Sequence, residues 1–340
     1  MSEVISLQSL LQLVGDWMRQ GKRVFGPVRV KEDLYLYAPL SAPDQLVLEG
    51  LIRPANSIKE LLFPRHEKVY RYRFKGHDLE LADCDPPADP QIIVGGRPCD
   101  AAALPILDAV FNWDFKDKFY NSRREATTVV TLACAEWDDQ CFCTSVGLGP
   151  AAKQGSDVLL LPYGDGVFEV RCLTSKGHAL FAGKTESSVE AAPASQGPPV
   201  RFDLQALQAF LNGEYENPVW RDIALRCLGC GACAYTCPTC HCFDIADEGD
   251  ATGGARVKNW DSCQFGTFTL HASGHNPRAT QSQRQRQRIQ HKFHFYPEKF
   301  GAVLCTGCGN CTRNCPVSLG VLSTVEQIRK VPIRDASEVQ

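Results

Sequence analysis

No stretch of this 340-residue chain approaches the apolar length that a bilayer span needs. Direct membrane insertion is therefore not expected, and any membrane association would come through a partner. Excess charge is missing too. The 36 Lys and Arg nearly balance the 39 Asp and Glu, a formal charge of −3, so the basic footprint of a nucleic-acid binder is absent. No basic segment followed by a short apolar run opens the chain, and it is expected to stay in a reducing cytoplasm. There the 17 cysteines serve metals or chemistry rather than disulfides. No Walker motif and no strand–GxGxxG–helix unit occurs. Gly147-Leu-Gly149-Pro150 is too poor a match to suggest a nucleotide site. Paired carboxylates and Ser/His/Asp sets cannot be picked out either, which leaves no catalytic residue to name.

What the chain does have is one pattern written twice. Cys227-Leu-Gly-Cys230-Gly-Ala-Cys233-Ala-Tyr-Thr-Cys237-Pro238 is repeated as Cys305-Thr-Gly-Cys308-Gly-Asn-Cys311-Thr-Arg-Asn-Cys315-Pro316. Three thiolates at C-x2-C-x2-C spacing can hold three irons of a cubane, and the fourth Cys, fixed by the following proline, reaches the other cluster. Cys227, Cys230, Cys233 and Cys315 are thus assigned to one 4Fe-4S cluster, and Cys305, Cys308, Cys311 and Cys237 to a second. Gly229, Gly231, Gly307 and Gly309 recur in register, as expected of backbone that passes close to an inorganic core. Structural zinc usually takes separated CxxC pairs around one tetrahedral ion, which leaves the third Cys of each run unexplained.

The length allows about two domains, and the expected class is α+β. A mixed α/β domain over 1–183 is followed by a linker over 184–200. A ferredoxin-like dicluster domain over 201–340 then carries a long insertion over 238–304. The first 20 residues read as one amphipathic helix with Leu7, Leu10, Leu11, Val14, Trp17 and Met18 on a face. Strands are expected at 24–30, 34–39, 68–74, 91–94, 128–133, 158–162 and 167–172, with a helix at about 100–111. Helices are also expected near Asp203, over 218–226 and around 323–330.

Other cysteines form a second constellation. Cys99 follows a strand and opens a helix, whose free amides and dipole favour a thiolate. Cys134, Cys141 and Cys143 follow the next apolar strand. Together the four can hold a third cluster, or they are buried core thiols of no standard spacing. Cys240, His241, Cys242 and Cys263 are metal ligands or buried groups that shape cluster potential. Cys84 and Cys172 read as core residues. Arg284, Arg288 and Lys292 recur every four residues with His291 and His294 nearby. That stripe is a solvated helix face, or a cationic surface that offsets cluster charge or docks an acidic electron partner.

Several of these segments together resemble one family. Gly96-Arg-Pro-Cys99-Asp-Ala-Ala-Ala-Leu104, Cys141-Phe-Cys143-Thr-Ser-Val-Gly147, Cys237-Pro-Thr-Cys240-His-Cys242-Phe-Asp244, Trp260-Asp-Ser-Cys263 and Asn276-Pro-Arg278 before an Arg/Gln-rich run ending His291-Lys-Phe293 are similar to the 4Fe-4S beta subunit of cytosolic sulfhydrogenases (NAD(P)-linked nickel–iron hydrogenases) and to the corresponding iron–sulfur subunit of anaerobic sulfite reductase. The resemblance runs from about Gly95 to Pro316. It implies an electron-transfer subunit, not catalytic alone. Such a subunit wires an NAD(P)H-oxidising FAD flavoprotein to a hydrogenase or a sulfur or sulfite reductase. The alternative is a redox enzyme that uses the amino-terminal cysteine cluster as its substrate site.

Overall fold

Residues 2–188 and 190–331 are described by a computed structural model. Among them twelve strands are formed: β1 Ser2–Ser6, β2 Arg23–Lys31, β3 Leu34–Pro39, β4 His66–Lys75, β5 Asp78–Asp83, β6 Gln91–Gly96, β7 Thr127–Leu132, β8 Val158–Gly164, β9 Val167–Cys172, β10 Glu186–Ser188, β11 Phe243–Asp250 and β12 Gly253–Trp260. Helices and strands are both present, as the α+β expectation requires. The chain divides into two units by its internal contacts.

The first unit is made of residues 2–64, 83–139 and 147–198. Its sheet runs β10-β1-β9-β8-β7-β6-β2-β3. The central strands β2, β6, β7 and β8 are parallel, flanked by antiparallel β3 on one side and β9 and β1 on the other. All six residues of β6 are buried, and its Ile92-Ile93-Val94 is the continuous apolar run expected of a strand covered on both faces. The helix Leu7–Arg19 packs Leu10, Leu13, Val14 and Trp17 into the core shared with Ile92, Val130 and Leu160.

One correction falls at the start of the chain. Ser2–Ser6 is a strand, not the first turn of a helix. The β-branched Val4 and Ile5 pair with Glu169 and Phe168 of β9, and Ser6 caps the helix by accepting from the Ser9 N–H at 3.1 Å. Within the expected linker, Glu186–Ser188 pairs with β1 as an edge strand.

The second unit is made of residues 65–82, 140–146 and 199–331. Two of its segments, 65–82 and 140–146, lie within the span that the sequence assigns to the first domain. The long insertion folds as the hairpin β11–β12, and β12 pairs antiparallel with β4 in a sheet of order β11-β12-β4-β5. The insertion then supplies the helix Gln281–Gln290 and a single wide π-helical turn, His291–Phe295. Phe142, Trp220, Phe293, Val325 and the cysteines Cys233, Cys305 and Cys311 share one core. Burial of each large apolar side chain there contributes about 1.5–3 kcal/mol.

Candidate iron–sulfur centre

The two cysteine runs take the same backbone course. Gly229 and Gly231 have φ of +66° and +74°, and Gly307 and Gly309 have +64° and +76°, so each repeat needs two residues in the left-handed region. Each run then enters a four-residue helix, Ala232–Tyr235 or Asn310–Arg313. Space is as restrictive as torsion. A Cβ on Gly231 would lie 2.6 Å from Phe265 Cζ, and one on Gly307 would lie 2.5 Å from Cys143 Cα.

Between the runs is a recess lined by Cys227, Cys230 and Cys233 of the first repeat and Cys315 of the second. Gln264, Gln285 and Arg288 line it as well. Cys237 is near Cys305 of the second repeat instead, and its charge adds to burial in pushing the Cys305 thiol far up. Burial likewise pushes Cys233 up to about 12, with Cys263, Cys311 and Cys227 adding to it. Such buried thiols ionise only where positive charge meets them, and bound iron would supply that charge.

The sulfurs are met by donors suited to thiolates. Cys227 Sγ accepts from Gly229 N (3.4 Å), Gln281 Nε2 (3.1 Å) and Gln285 Nε2 (2.8 Å). Cys305, Cys311 and Cys315 accept from the N–H groups of Gly307, Val321 and Leu319 at 3.5, 3.3 and 3.2 Å. Among the described residues, no three His, Cys, Asp or Glu side chains converge tightly enough for a single metal ion. The thiolates of a cubane each bind a different iron and stand apart around a volume. The donor set, the recess and the amide N–H groups fit such clusters.

Residues 226–319 match the family described as the 4Fe-4S dicluster domain. This segment is a 4Fe-4S dicluster domain. Across 327 residues the chain is 29% identical to Sulfhydrogenase 2 subunit beta of Pyrococcus furiosus, which covers 92% of this chain and 94% of that relative. The resemblance to sulfhydrogenase beta subunits stands over nearly the whole length. No solved structure matches this chain. No helix among the described residues is long and apolar enough to cross a membrane.

The remaining candidates are distributed as follows. Cys99 and Cys134 are in the first unit, and Cys141 and Cys143 in the second. Cys99 opens the short helix Pro98–Ala101, and Arg53 Nη1 donates to its Sγ at 3.1 Å while pairing with buried Asp100. Cys141 Sγ accepts from Arg313 Nη2 at 3.1 Å. In the first unit a recess is lined by Leu48, Arg97, Leu132, Ala133, Glu136 and Phe168 among others, flanked in sequence by Cys99 and Cys134.

Cys242 hydrogen-bonds Cys263 and, with Gln264 donating and Arg288 and Lys292 nearby, holds Cys263 down at about 6. Cys242 itself is pushed well up. Cys240 is raised by its hydrogen bond to Cys237 and by burial. Of the two remaining cysteines, Cys172 packs at the margin of the first core, and Cys84 is half-buried.

The Arg284, Arg288 and Lys292 stripe is not a docking face. Arg288 and Lys292 are each 3% exposed, and Arg284 is half-buried, donating to Gln281 Oε1 and the Arg278 and Ala279 carbonyls. Four-residue spacing identifies one face of a helix, but here that face points at sulfur rather than water. Sequence reasoning also missed Gln264, Gln281 and Gln285, since a glutamine run carries no metal-ligand signature. The surface beside the first repeat is apolar instead: Leu225 and Leu228 are 83% and 67% exposed, next to exposed Cys230.

Proposed function

We propose that this chain is the electron-transfer subunit of a cytoplasmic oxidoreductase complex. It relays electrons between an NAD(P)H-oxidising flavoprotein and a catalytic subunit of the nickel–iron hydrogenase or sulfur-reductase kind. Cys227, Cys230, Cys233 and Cys315 hold one 4Fe-4S cluster, and Cys305, Cys308, Cys311 and Cys237 the other. The observation that carries the reading is the recess in which Cys315 of the second repeat joins three cysteines of the first, the crossing that a dicluster signature demands. The similarity to a sulfhydrogenase beta subunit supports the same role and a multisubunit setting. Bound clusters supply one-electron transfer. The chain's own residues hold the thiolates, shield them from water and set their electrostatic surroundings.

The anaerobically purified chain should contain about eight irons, or about twelve if Cys99, Cys134, Cys141 and Cys143 hold a third cubane. Dithionite should bleach its visible absorption, while NAD(P)H should do so only after a flavoprotein partner is added, because a flavin splits a hydride into single electrons. Bleaching of the flavin-free chain by NAD(P)H overturns the proposal. The recess beside Arg97 favours a second reading, a redox enzyme in its own right. Turnover of sulfite or polysulfide by the dithionite-reduced chain alone would establish it.

A further inference from the structure

One helical rod carries four polar side chains into the dicluster core. Gln281, Gln285 and Arg288 come from the helix Gln281–Gln290, and Lys292 comes from the π-helical turn that continues it. The two glutamines donate to Cys227 Sγ and are themselves aligned by Gln264 Oε1, which accepts from both at 2.9 and 2.8 Å. Arg288 Nη1 reaches the Leu319 carbonyl at 3.3 Å and Gln285 Oε1 at 3.4 Å. Its Nη2 is buried with no hydrogen-bond partner, and the side chain lines the recess of Cys227, Cys230, Cys233 and Cys315. Lys292 Nζ is surrounded by the Leu304 carbonyl at 3.0 Å, Thr239 Oγ1 at 3.3 Å, Cys237 Sγ at 3.4 Å and Cys240 Sγ at 3.5 Å.

A buried guanidinium keeps its charge and costs free energy unless negative charge faces it. The negative groups facing these cations are thiolates. Arg288 sees Cys233 of the first set and Cys311 of the second, besides Cys263 and Cys240. Lys292 sees Cys237 and Cys305 of the second set and Cys240. Reduction adds negative charge to a cluster, and a fixed cation within a few ångströms in a poorly polarisable interior stabilises the reduced form. Amide donors on a ligand sulfur act in the same direction.

We propose that Arg288, Lys292 and the Gln281/Gln285 pair are potential-setting residues, each with a defined target. Lys292 raises the reduction potential of the cluster held by Cys305, Cys308, Cys311 and Cys237. Arg288, set between the sets, raises both. The glutamines raise that of the cluster held by Cys227, Cys230, Cys233 and Cys315. This inference rests on the dicluster reading above. It makes the insertion between the repeats the part of the chain that positions the two potentials.

The test is an EPR-monitored redox titration of the full chain, with signals assigned through Cys227→Ser and Cys305→Ser. Lys292→Gln should lower the reduction equilibrium of the second cluster at least tenfold, about 59 mV for one electron, and shift the first less. Arg288→Gln should lower both. Lys292→Arg should restore most of the loss, and added salt should change none of these shifts, since buried charge is poorly screened. Wild-type iron content near zero would remove the dicluster reading itself. Wild-type iron content in the variants with both potentials unmoved would overturn this proposal alone. If Lys292→Gln and Arg288→Gln lose iron, Gln285→Leu decides, because it removes a neutral donor from Cys227 Sγ. A lowered first-cluster potential sustains the proposal, and an unmoved one overturns it.

Discussion

Gly307→Ala should damage the second cysteine loop by far more than its backbone torsion explains. Its φ of +64° places any other residue in the left-handed region, at about 1–2 kcal/mol. The added Cβ would also lie 2.5 Å from Cys143 Cα and N and 2.6 Å from the Phe142 carbonyl carbon. These are backbone atoms, and the Phe142 N–H is bound to the Gly307 carbonyl at 2.9 Å, so neither segment can retreat without breaking that bond. Overpacking of this kind costs about 1–3 kcal/mol more. Gly301→Ala is the matched control, with φ of +72° and open space around its Cβ. The clash alone should lower the thermal midpoint of Gly307→Ala below that of Gly301→Ala by about 2–12 °C, at roughly 2–4 °C per kcal/mol for a domain of this size. Cluster proteins seldom unfold in two states, so the assay is the midpoint of the iron-loaded protein at one scan rate, read together with iron content. Equal midpoints and equal iron in the two variants would refute the reasoning.

Cys237→Ser should abolish the EPR signal that Cys305→Ser abolishes, and Cys315→Ser the one that Cys227→Ser abolishes; the opposite pairing would break the crossed ligand assignment. Leu225→Glu with Leu228→Glu should slow electron exchange with an added redox partner severalfold without loss of iron, because those exposed side chains adjoin the first repeat; an unchanged rate would place the exchange surface elsewhere. Burial, with His241, Lys292 and Arg278 adding to it, holds His291 down at about 3. Its contribution is complete above the unfolded value near 6.5 and is lost as pH falls from there toward about 3. Between pH 7.5 and pH 5 the wild type should lose about 2 kcal/mol that His291→Gln keeps, from about 1.5 pH units at about 1.4 kcal/mol each. Identical pH profiles would show that His291 takes up its proton as readily in the fold as in the unfolded chain.

The cysteine repeats were legible because a cubane requires fixed ligand spacing and tight turns, and both leave marks in the sequence. The apolar strands β6, β7 and β8 were legible for a similar reason, since burial on both faces demands continuous Val, Ile and Leu. The hairpin β11–β12 was not. Phe243–Asp250 is rich in acidic residues and mostly exposed, so neither alternation nor apolar content distinguishes it from a loop. The 68–74 strand was seen but not its partner, because β4 pairs with β12 nearly two hundred residues away. Local pattern specifies that a strand exists and leaves its neighbour open.

The Arg/Gln-rich helix shows most sharply what sequence pattern leaves undetermined. Ordinary periodicity rules assign polar faces to water because the usual interior is hydrocarbon. A core lined by cysteine sulfurs, to which bound clusters would add negative charge, is not hydrocarbon. The same burial that would expel Arg288 and Lys292 from an apolar core retains them here, where removal would leave negative charge uncompensated. A hydrophobic replacement that stabilises an ordinary core should therefore destabilise this one. Arg288→Met, similar in volume and reach, should raise the stability of the iron-free chain, which loses a buried cation faced by few ionised groups, and lower the stability of the iron-loaded chain. Matched denaturation of apo and loaded protein measures the two signs. A stabilising effect in both states would mean that Arg288 faces no cluster charge.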